Sequence, residues 1–467
     1  MTEKHACSSP AGSPQYGSEA ARHILPSSHC AVSAFRRSLA RFGPAVIMAL
    51  ATGLPPIVAL PAESEPAPDL EHLTLDSAQR LFREHSRELL AAKRSVQAAE
   101  GDRMAAAQFP NPTLSTSVGA ISAHNLQGPA NLRDKPIDTV VELSQLFERG
   151  NKRALRTEAA QGNLEASRND LQDAMRQQTL TMRAAFYDLM LAQERVRVSE
   201  DTAGLLRKNV AAAELRFRSG DIAASDVSRL RVDALRAEND QRQARADMEK
   251  AQIVLAYFLG LEASPARIHA EADWPAPIAP PSASDIEAIL DRRPDVQAAR
   301  QRFMAAQKNR DLARASRTRD VTVGVQYAHF PGDLTNNTYG VTVSVPLFWF
   351  YQFDGEIKKA DVAANSAEEE LERIRALARA DLARSRSDLE SATERVRRYG
   401  DALLKEAQRA ADASEYAYKR GAVGVTDLLD ARRTLYATRL DAASANADYA
   451  KALAAWQAAT AAETNTP

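Results

Sequence analysis

The chain has 467 residues, and its 26% charged side chains divide almost evenly between 60 Lys+Arg and 61 Asp+Glu. That balance excludes a polybasic nucleic-acid binder and an acidic disordered chain. Aromatics make up only 6%, thin for a conventional globular core, and an alanine-rich, charge-rich, glycine-poor chain fits long helices packed along narrow seams.

Residues 1–62 read as an N-terminal extension ending in a secretory signal. Arg36, Arg37 and Arg41 precede an apolar run from Pro44 to Leu60, with small residues near Ala59 and Ala62. Pro55-Pro56 and the shortness of the run argue against a membrane-spanning helix. The two cysteines, Cys7 and Cys30, both lie upstream of the run, so a chain cut there has no disulfide and no thiolate metal site. Lipidation of Cys30 is not expected, because it precedes the apolar run. A Glu/Pro linker occupies 63–73.

A first repeat is expected over 74–263. Helical pattern begins at Leu75, capped by Thr74 or Asp76, and runs to about Gln108, where Pro110 and Pro112 stop it. From Thr113 to Ile121, Leu114, Thr116 and Val118 alternate with Ser115, Ser117 and Gly119, the period of a strand. A polar loop, Ser122 to Pro136, leads to a second strand over Ile137–Leu146. No proline then occurs before Pro265, and helices are predicted from about Lys152 to Arg218 and from about Asp226 to Leu259. The first would be roughly 100 Å long at 1.5 Å per residue.

A Pro-rich connector over 264–282 separates this from a second repeat, 283–460, with the same order, followed by a tail at 461–467. Val321, Val323, Val325 and Tyr327 alternate with Thr322, Gly324 and Gln326. Tyr339, Val341, Val343, Val345 and Leu347 alternate with Gly340, Thr342 and Ser344. A second long helix pair fills the remainder. The copies are clearest at the turns: Phe217, Gly220, Asp226 and Val227 recur as Tyr418, Gly421, Asp427 and Leu428. Gly220 and Gly421 suit a tight helix-to-helix turn that needs positive φ.

Four strands of this length can cross a bilayer when tilted, but four cannot close a barrel, and open edges are forbidden in lipid. Several chains would have to share one barrel. Phe348, Trp349, Phe350, Tyr351 and Phe353, where the second hairpin ends, suit an interfacial aromatic girdle. The plainer alternative is a local cluster between strand and helix. No nucleophile–base pair, phosphate loop or ligand cluster is evident, so neither an enzyme nor a bound cofactor is expected. A coiled-coil scaffold in the periplasm explains the helices but not the strands.

The two-fold repeat, Pro110-Asn111-Pro112, the segment Glu142 to Arg153, and the tip motif from Tyr418 through Gly421 to Asp427-Leu428-Leu429-Asp430 resemble the TolC-type outer membrane efflux family. The resemblance runs from about Leu73 to Ala459 and points to the family's heavy-metal (cobalt–zinc–cadmium) branch, with Asn151 where that branch usually has glycine. It implies a mainly α fold with a small β part: a homotrimer with a shared 12-stranded barrel in the outer membrane and a helical tunnel across the periplasm. It also implies docking on a periplasmic adaptor and an inner-membrane proton-driven pump of the resistance-nodulation-division type. Export of drugs or organic solutes is the rival cargo.

Asp427 and Asp430 match the family's aspartates at the periplasmic entrance. Spacing of three puts both on one helix face, where three chains would make a weak cation ring. The alternative is a solvated face, with Asp427 favoured simply by the start of its helix. Asp226 repeats Asp427, whereas Arg229 replaces Asp430. Val423 stands where the family can have a basic residue that closes the mouth, and Arg432 or Arg231 are candidate substitutes. The tips Gly220, Ile222, Ala223, Gly421, Val423 and Gly424 are the expected adaptor contacts.

Overall fold

The computed structural model describes residues 69–121, 137–278, 286–331 and 337–460. The signal segment, the Ser122–Pro136 loop, part of the connector, residues 332–336 and the tail lie outside the described residues. Two runs of elements follow one another in the same order. The first is α1 (Leu75–His85), α2 (Arg87–Ala106), β1 (Thr113–Gly119), β2 (Asp138–Phe147), α3 (Lys152–Arg218) and α4 (Ala224–Leu259). The second is α5 (Ile286–Arg292), α6 (Pro294–Ala315), β3 (Val321–His329), β4 (Asn337–Ser344), α7 (Asp354–Arg398), α8 (Leu404–Lys419) and α9 (Val425–Ala459).

The single helix expected from Leu75 is two. Ser86 takes extended angles between α1 and α2, and its hydroxyl accepts from the Leu89 N–H at 3.4 Å, restarting the helix with a side-chain cap. Gly260, at φ 69°, lies against this break. A β-carbon there would sit 2.8 Å from the His85 Cβ. The second run breaks in the same place, at Arg293, with Pro294 in the first turn of α6, where a missing N–H costs nothing.

α3 is unbroken for 67 residues. Its counterpart is not: α7 and α8 are joined by a π-helical turn at Tyr399–Leu403. The expected second long helix is therefore a helix with one wide turn. Tyr399-Gly400 supplies a residue of low helix propensity at that point, the kind of place where such turns form.

The widest core lies along the middle of α3. Met182, Phe186 and Leu189 pack with Leu81 and Phe82 of α1, Leu255 and Leu259 of α4, and Ile268. Elsewhere the seams are narrow and alanine-rich. Ala443, Ala447, Ala450 and Ala454 are buried along α9, which lets helix axes approach closely.

The four strands form one antiparallel sheet in the order β1-β2-β3-β4, so the two expected hairpins join edge to edge through β2 and β3. β1 ends at Gly119 because Ala120 turns to φ 55°. β4 ends at Ser344 instead of Leu347, one residue before Val345-Pro346, where the chain loses an N–H donor.

Candidate functional site

The two helix-to-helix turns have the same geometry. Gly220 (φ 81°) and Gly421 (φ 74°) are left-handed. The Gly220 N–H donates to the Phe217 carbonyl and the Asp221 N–H to Arg216. In the copy, Gly421 donates to Tyr418 and Ala422 to Ala417. These pairs of bonds close α3 and α8 in the Schellman manner and free the chain to reverse at once.

The copies differ where the next helix starts. Asp427 accepts from the Gly424 N–H at 3.3 Å, so it caps α9 and favours its positive end. Asp430, three residues on, is exposed and lies 3.4 Å from Arg433. Asp226 faces Arg229 at 3.7 Å, and Arg229 also donates to the Thr426 hydroxyl at 3.4 Å. The starts of α4 and α9 are thus side by side. Val227 and Leu230 pack with Val425 and Leu429, and Ile222 and Tyr418 close the cluster. Ile222 is turned partly into this seam, whereas Ala223 and Gly424 are exposed.

An ion pair the sequence did not suggest fastens the two repeats there. Arg433 bonds both oxygens of buried Asp233 at 2.7 and 2.8 Å, and that hydrogen bond raises the Arg433 pKa further. Arg231 pairs with Glu214 at 2.6 Å, and Arg432 pairs with Glu415. Both arginines proposed as closing links across the mouth are therefore held within their own hairpins. Both pairs stand at equivalent places in the two copies, a signal present in the sequence.

The sheet has two unlike faces. Leu114, Leu143, Val325 and Val341 are register partners across all four strands, flanked by Val141, Tyr327 and Tyr339. Leu114, Leu143, Val325, Tyr339 and Val341 are exposed, Val341 at 72%, and Val141 and Tyr327 are half-buried. The opposite face carries Ser115, Glu142, Gln326 and Gly340 in one row, and Thr113, Ser144, Gly324 and Thr342 in the next. Glu142 crosses above Gly324 and accepts from the Thr342 hydroxyl at 2.7 Å. A β-carbon at 324 would come within 2.5 Å of the Glu142 and Thr342 oxygens, so any larger residue there would displace this bond. An apolar face opposite a polar one is the pattern of a barrel strand between lipid and water. No described helix is long and apolar enough to cross a membrane.

A sequence model of the outer membrane efflux protein family matches residues 79–261 and 286–462. The chain belongs to that family. As a member of the outer membrane efflux family it is a component of an outer-membrane efflux channel of a Gram-negative bacterium. It is 25% identical over 368 residues to the cobalt-zinc-cadmium resistance protein CzcC of Cupriavidus metallidurans, covering 79% of this chain and 85% of that one. It is 26% identical over 386 residues to the pyoverdine export outer membrane protein OpmQ of Pseudomonas putida, covering 78% and 80%. The fold matches the outer membrane channel CmeC of Campylobacter jejuni with a TM-score of 0.72 at 14% identity, over 83% of this chain and 85% of that one.

The five aromatics of this efflux protein divide in two. Phe348 and Phe353 pack edge to face at 5.1 Å, and Tyr351 meets Phe353 at 5.0 Å. Trp349 and Phe350 are free, at 72% and 99% exposed. Among the described residues no three His, Cys, Asp or Glu converge on a metal-binding point.

Proposed function

We propose that three copies of this chain close a twelve-stranded barrel in the outer membrane and continue it as a helical duct through the periplasm. The observation that carries this reading is the sheet: it has one apolar face, one polar face, and unpaired edges at β1 and β4. An edge of free N–H and C=O groups cannot stand in lipid. Pairing β1 of one protomer with β4 of the next removes every edge and turns all polar faces to one lumen.

In this reading the tips are the periplasmic end. Gly220, Ala223, Gly421, Val423 and Gly424 meet a periplasmic adaptor, with Ile222 contributing behind them, and the adaptor connects the duct to a proton-driven pump of the inner membrane. Asp427 and Asp430 line the mouth, one pair per protomer, and raise the local cation concentration. Divalent heavy-metal cations are the proposed cargo, supported by the likeness to CzcC across most of both chains. The likeness to OpmQ supports an organic solute as the second reading.

The test is deletion of the gene followed by growth on Co, Zn, Cd, Ni and Cu and on a panel of drugs and siderophores. Sensitivity to divalent metals alone is the expected outcome. Sensitivity confined to organic compounds would transfer the assignment to the second reading.

A further inference from the structure

The helix-side end of the sheet has cations to spare. β1 begins there, β2 and β4 end there, and β3 begins there. Each carboxylate at this level is engaged. Glu148 takes Arg156 at 2.8 Å, Asp320 takes Lys152 at 2.8 Å, Asp354 takes Arg317, and Glu356 accepts from the Tyr351 hydroxyl. Three arginines are left over. Arg149, Arg153 and Arg319 make no ion pair with any described residue, whereas long runs of arginines along α6, α7 and α9 do.

Two of the three lie on aromatic rings. Arg153 stands 3.7 Å over the centre of Phe109, and Arg319 is 5.9 Å from that of Phe348. Stacking fixes a guanidinium plane while leaving its edge donors open for an oxyanion. Phe109, Arg149 and Arg153 also line one open pocket of about 720 Å³ with Leu146 and Phe147. Phe109 is 69% exposed, and Trp349 and Phe350 stand bare at the same level.

We propose that this belt binds the headgroup phosphates of anionic glycerophospholipids in the periplasmic leaflet of the outer membrane. Charge complementarity and the exposed rings fix the occupant: a fixed anion beside apolar surface is a headgroup above acyl chains. Arg149, Arg153 and Arg319 take the phosphate, and Phe109, Trp349 and Phe350 lie along the upper acyl region. The proposal rests on the barrel reading, because that reading places this level at the membrane surface.

The test is native mass spectrometry of the protein extracted in mild detergent and offered phosphatidylglycerol, phosphatidylethanolamine or inorganic phosphate. The wild-type trimer is expected to retain phosphatidylglycerol at least fivefold over phosphatidylethanolamine. The triple variant Arg149→Gln/Arg153→Gln/Arg319→Gln should lose that preference at unchanged trimer mass. The matching triple Lys variant, which keeps the charge, should hold most of it. Equal retention by wild type and Gln variant within an intact trimer overturns the lipid site alone. Capture of inorganic phosphate with no lipid preference overturns it too, since that marks a phosphate site. A monomer without a barrel overturns both this proposal and the channel reading beneath it.

Discussion

The two halves of this chain make the same turn-and-return with different means, and the differences fall along the long helices, at the tips and at the strand-to-helix corners. The first half runs α3 unbroken for 67 residues and roots it in a wide core of methionine, phenylalanine and leucine. The second half covers the matching distance as α7, a π turn and α8, and α8 buries only Ala407 and Ala411. At the tips, the first half sets a single aspartate, Asp226, beside Arg229 at 3.7 Å, while the second carries two, Asp427 and Asp430, on one exposed face with Arg433 3.4 Å from Asp430. We propose that the first hairpin serves as a fixed post. The second is the partner, lightly packed along α8 and with one more aspartate at its tip.

The largest contrast in stability lies at the helix breaks. Ser86 restarts α2 with a neutral cap, whereas buried Arg293 holds Asp295 at 2.6 and 3.1 Å. Burial by itself raises the Asp295 carboxyl, but the Arg293 hydrogen bonds and charge, with Arg176 nearby, outweigh it and hold it below the usual carboxylate range. A lowered folded pKa means the contribution is complete above the unfolded value of about 3.9 and is lost as pH falls below it. Asp295→Asn should cost about 3 kcal/mol at pH 7, because it strands a buried guanidinium. Ser86→Ala should cost about 1 kcal/mol at any pH. Thermal unfolding in detergent at pH 7 and pH 3 checks both. A pH-independent deficit for Asp295→Asn would mean the pair acts by packing alone.

The tip glycines come next. A β-carbon at Gly220 or Gly421 meets nothing within 4 Å, so valine at either place costs only its backbone, about 1–2 kcal/mol. The functional results should part company. Ile222 and the buried cluster around it hold the first tip; the second has fewer anchors. Gly421→Val should reduce capture of the adaptor well beyond Gly220→Val, with trimer formation intact in both. Equal loss in a pull-down would remove the distinction between post and partner.

The charge difference at the mouth is tested by block of single-channel current by divalent cations. Asp427→Asn/Asp430→Asn keeps a side-chain oxygen able to cap α9 and removes the ring. Affinity for the blocking cation should fall about tenfold, or about 1.4 kcal/mol. Asp226→Asn should change less, because Asp226 is a single, half-buried carboxylate, and Arg229→Asp should strengthen block. Unchanged block in the double variant would leave Asp427 as a helix cap and nothing more.

Much of this was legible in the sequence, and the illegible parts share a cause. Period-two alternation marked three strands and, less cleanly because Val140 and Val141 are adjacent, β2; absence of proline marked α3 and α4, and Gly220 and Gly421 marked their turns. Each is a local signal that one side chain or a short run can carry. The Arg433–Asp233 bond joins residues 200 apart, and the side-by-side packing of α4 and α9 depends on how the repeats meet. No pattern within either repeat reports that. The break at Ser86 was missed because a serine inside a helical pattern costs little, and here Gly260 packed against it decides the matter. The π turn at Tyr399–Leu403 has no sequence signature stronger than one glycine.

The smallest contrast is at the strand-to-helix corners, where both halves require a left-handed residue just before the long helix. Asn151 stands there at φ 60° and Phe353 at φ 63°. Asparagine tolerates this region, whereas an aromatic residue is strained by about 1–2 kcal/mol. Phe353 offsets that with its contacts to Phe348 and Tyr351, each worth about 0.5–1.5 kcal/mol. Glycine should therefore act differently at the two corners. Asn151→Gly should be neutral to slightly stabilising and Asn151→Ala should cost about 1 kcal/mol. Phe353→Gly should leave stability near the wild-type value, because relief of strain and loss of packing cancel, while the freed Phe348 and Tyr351 rings shift the tryptophan emission of neighbouring Trp349. A gain in stability for Phe353→Gly would mean that the rings contribute no packing and serve the membrane surface alone.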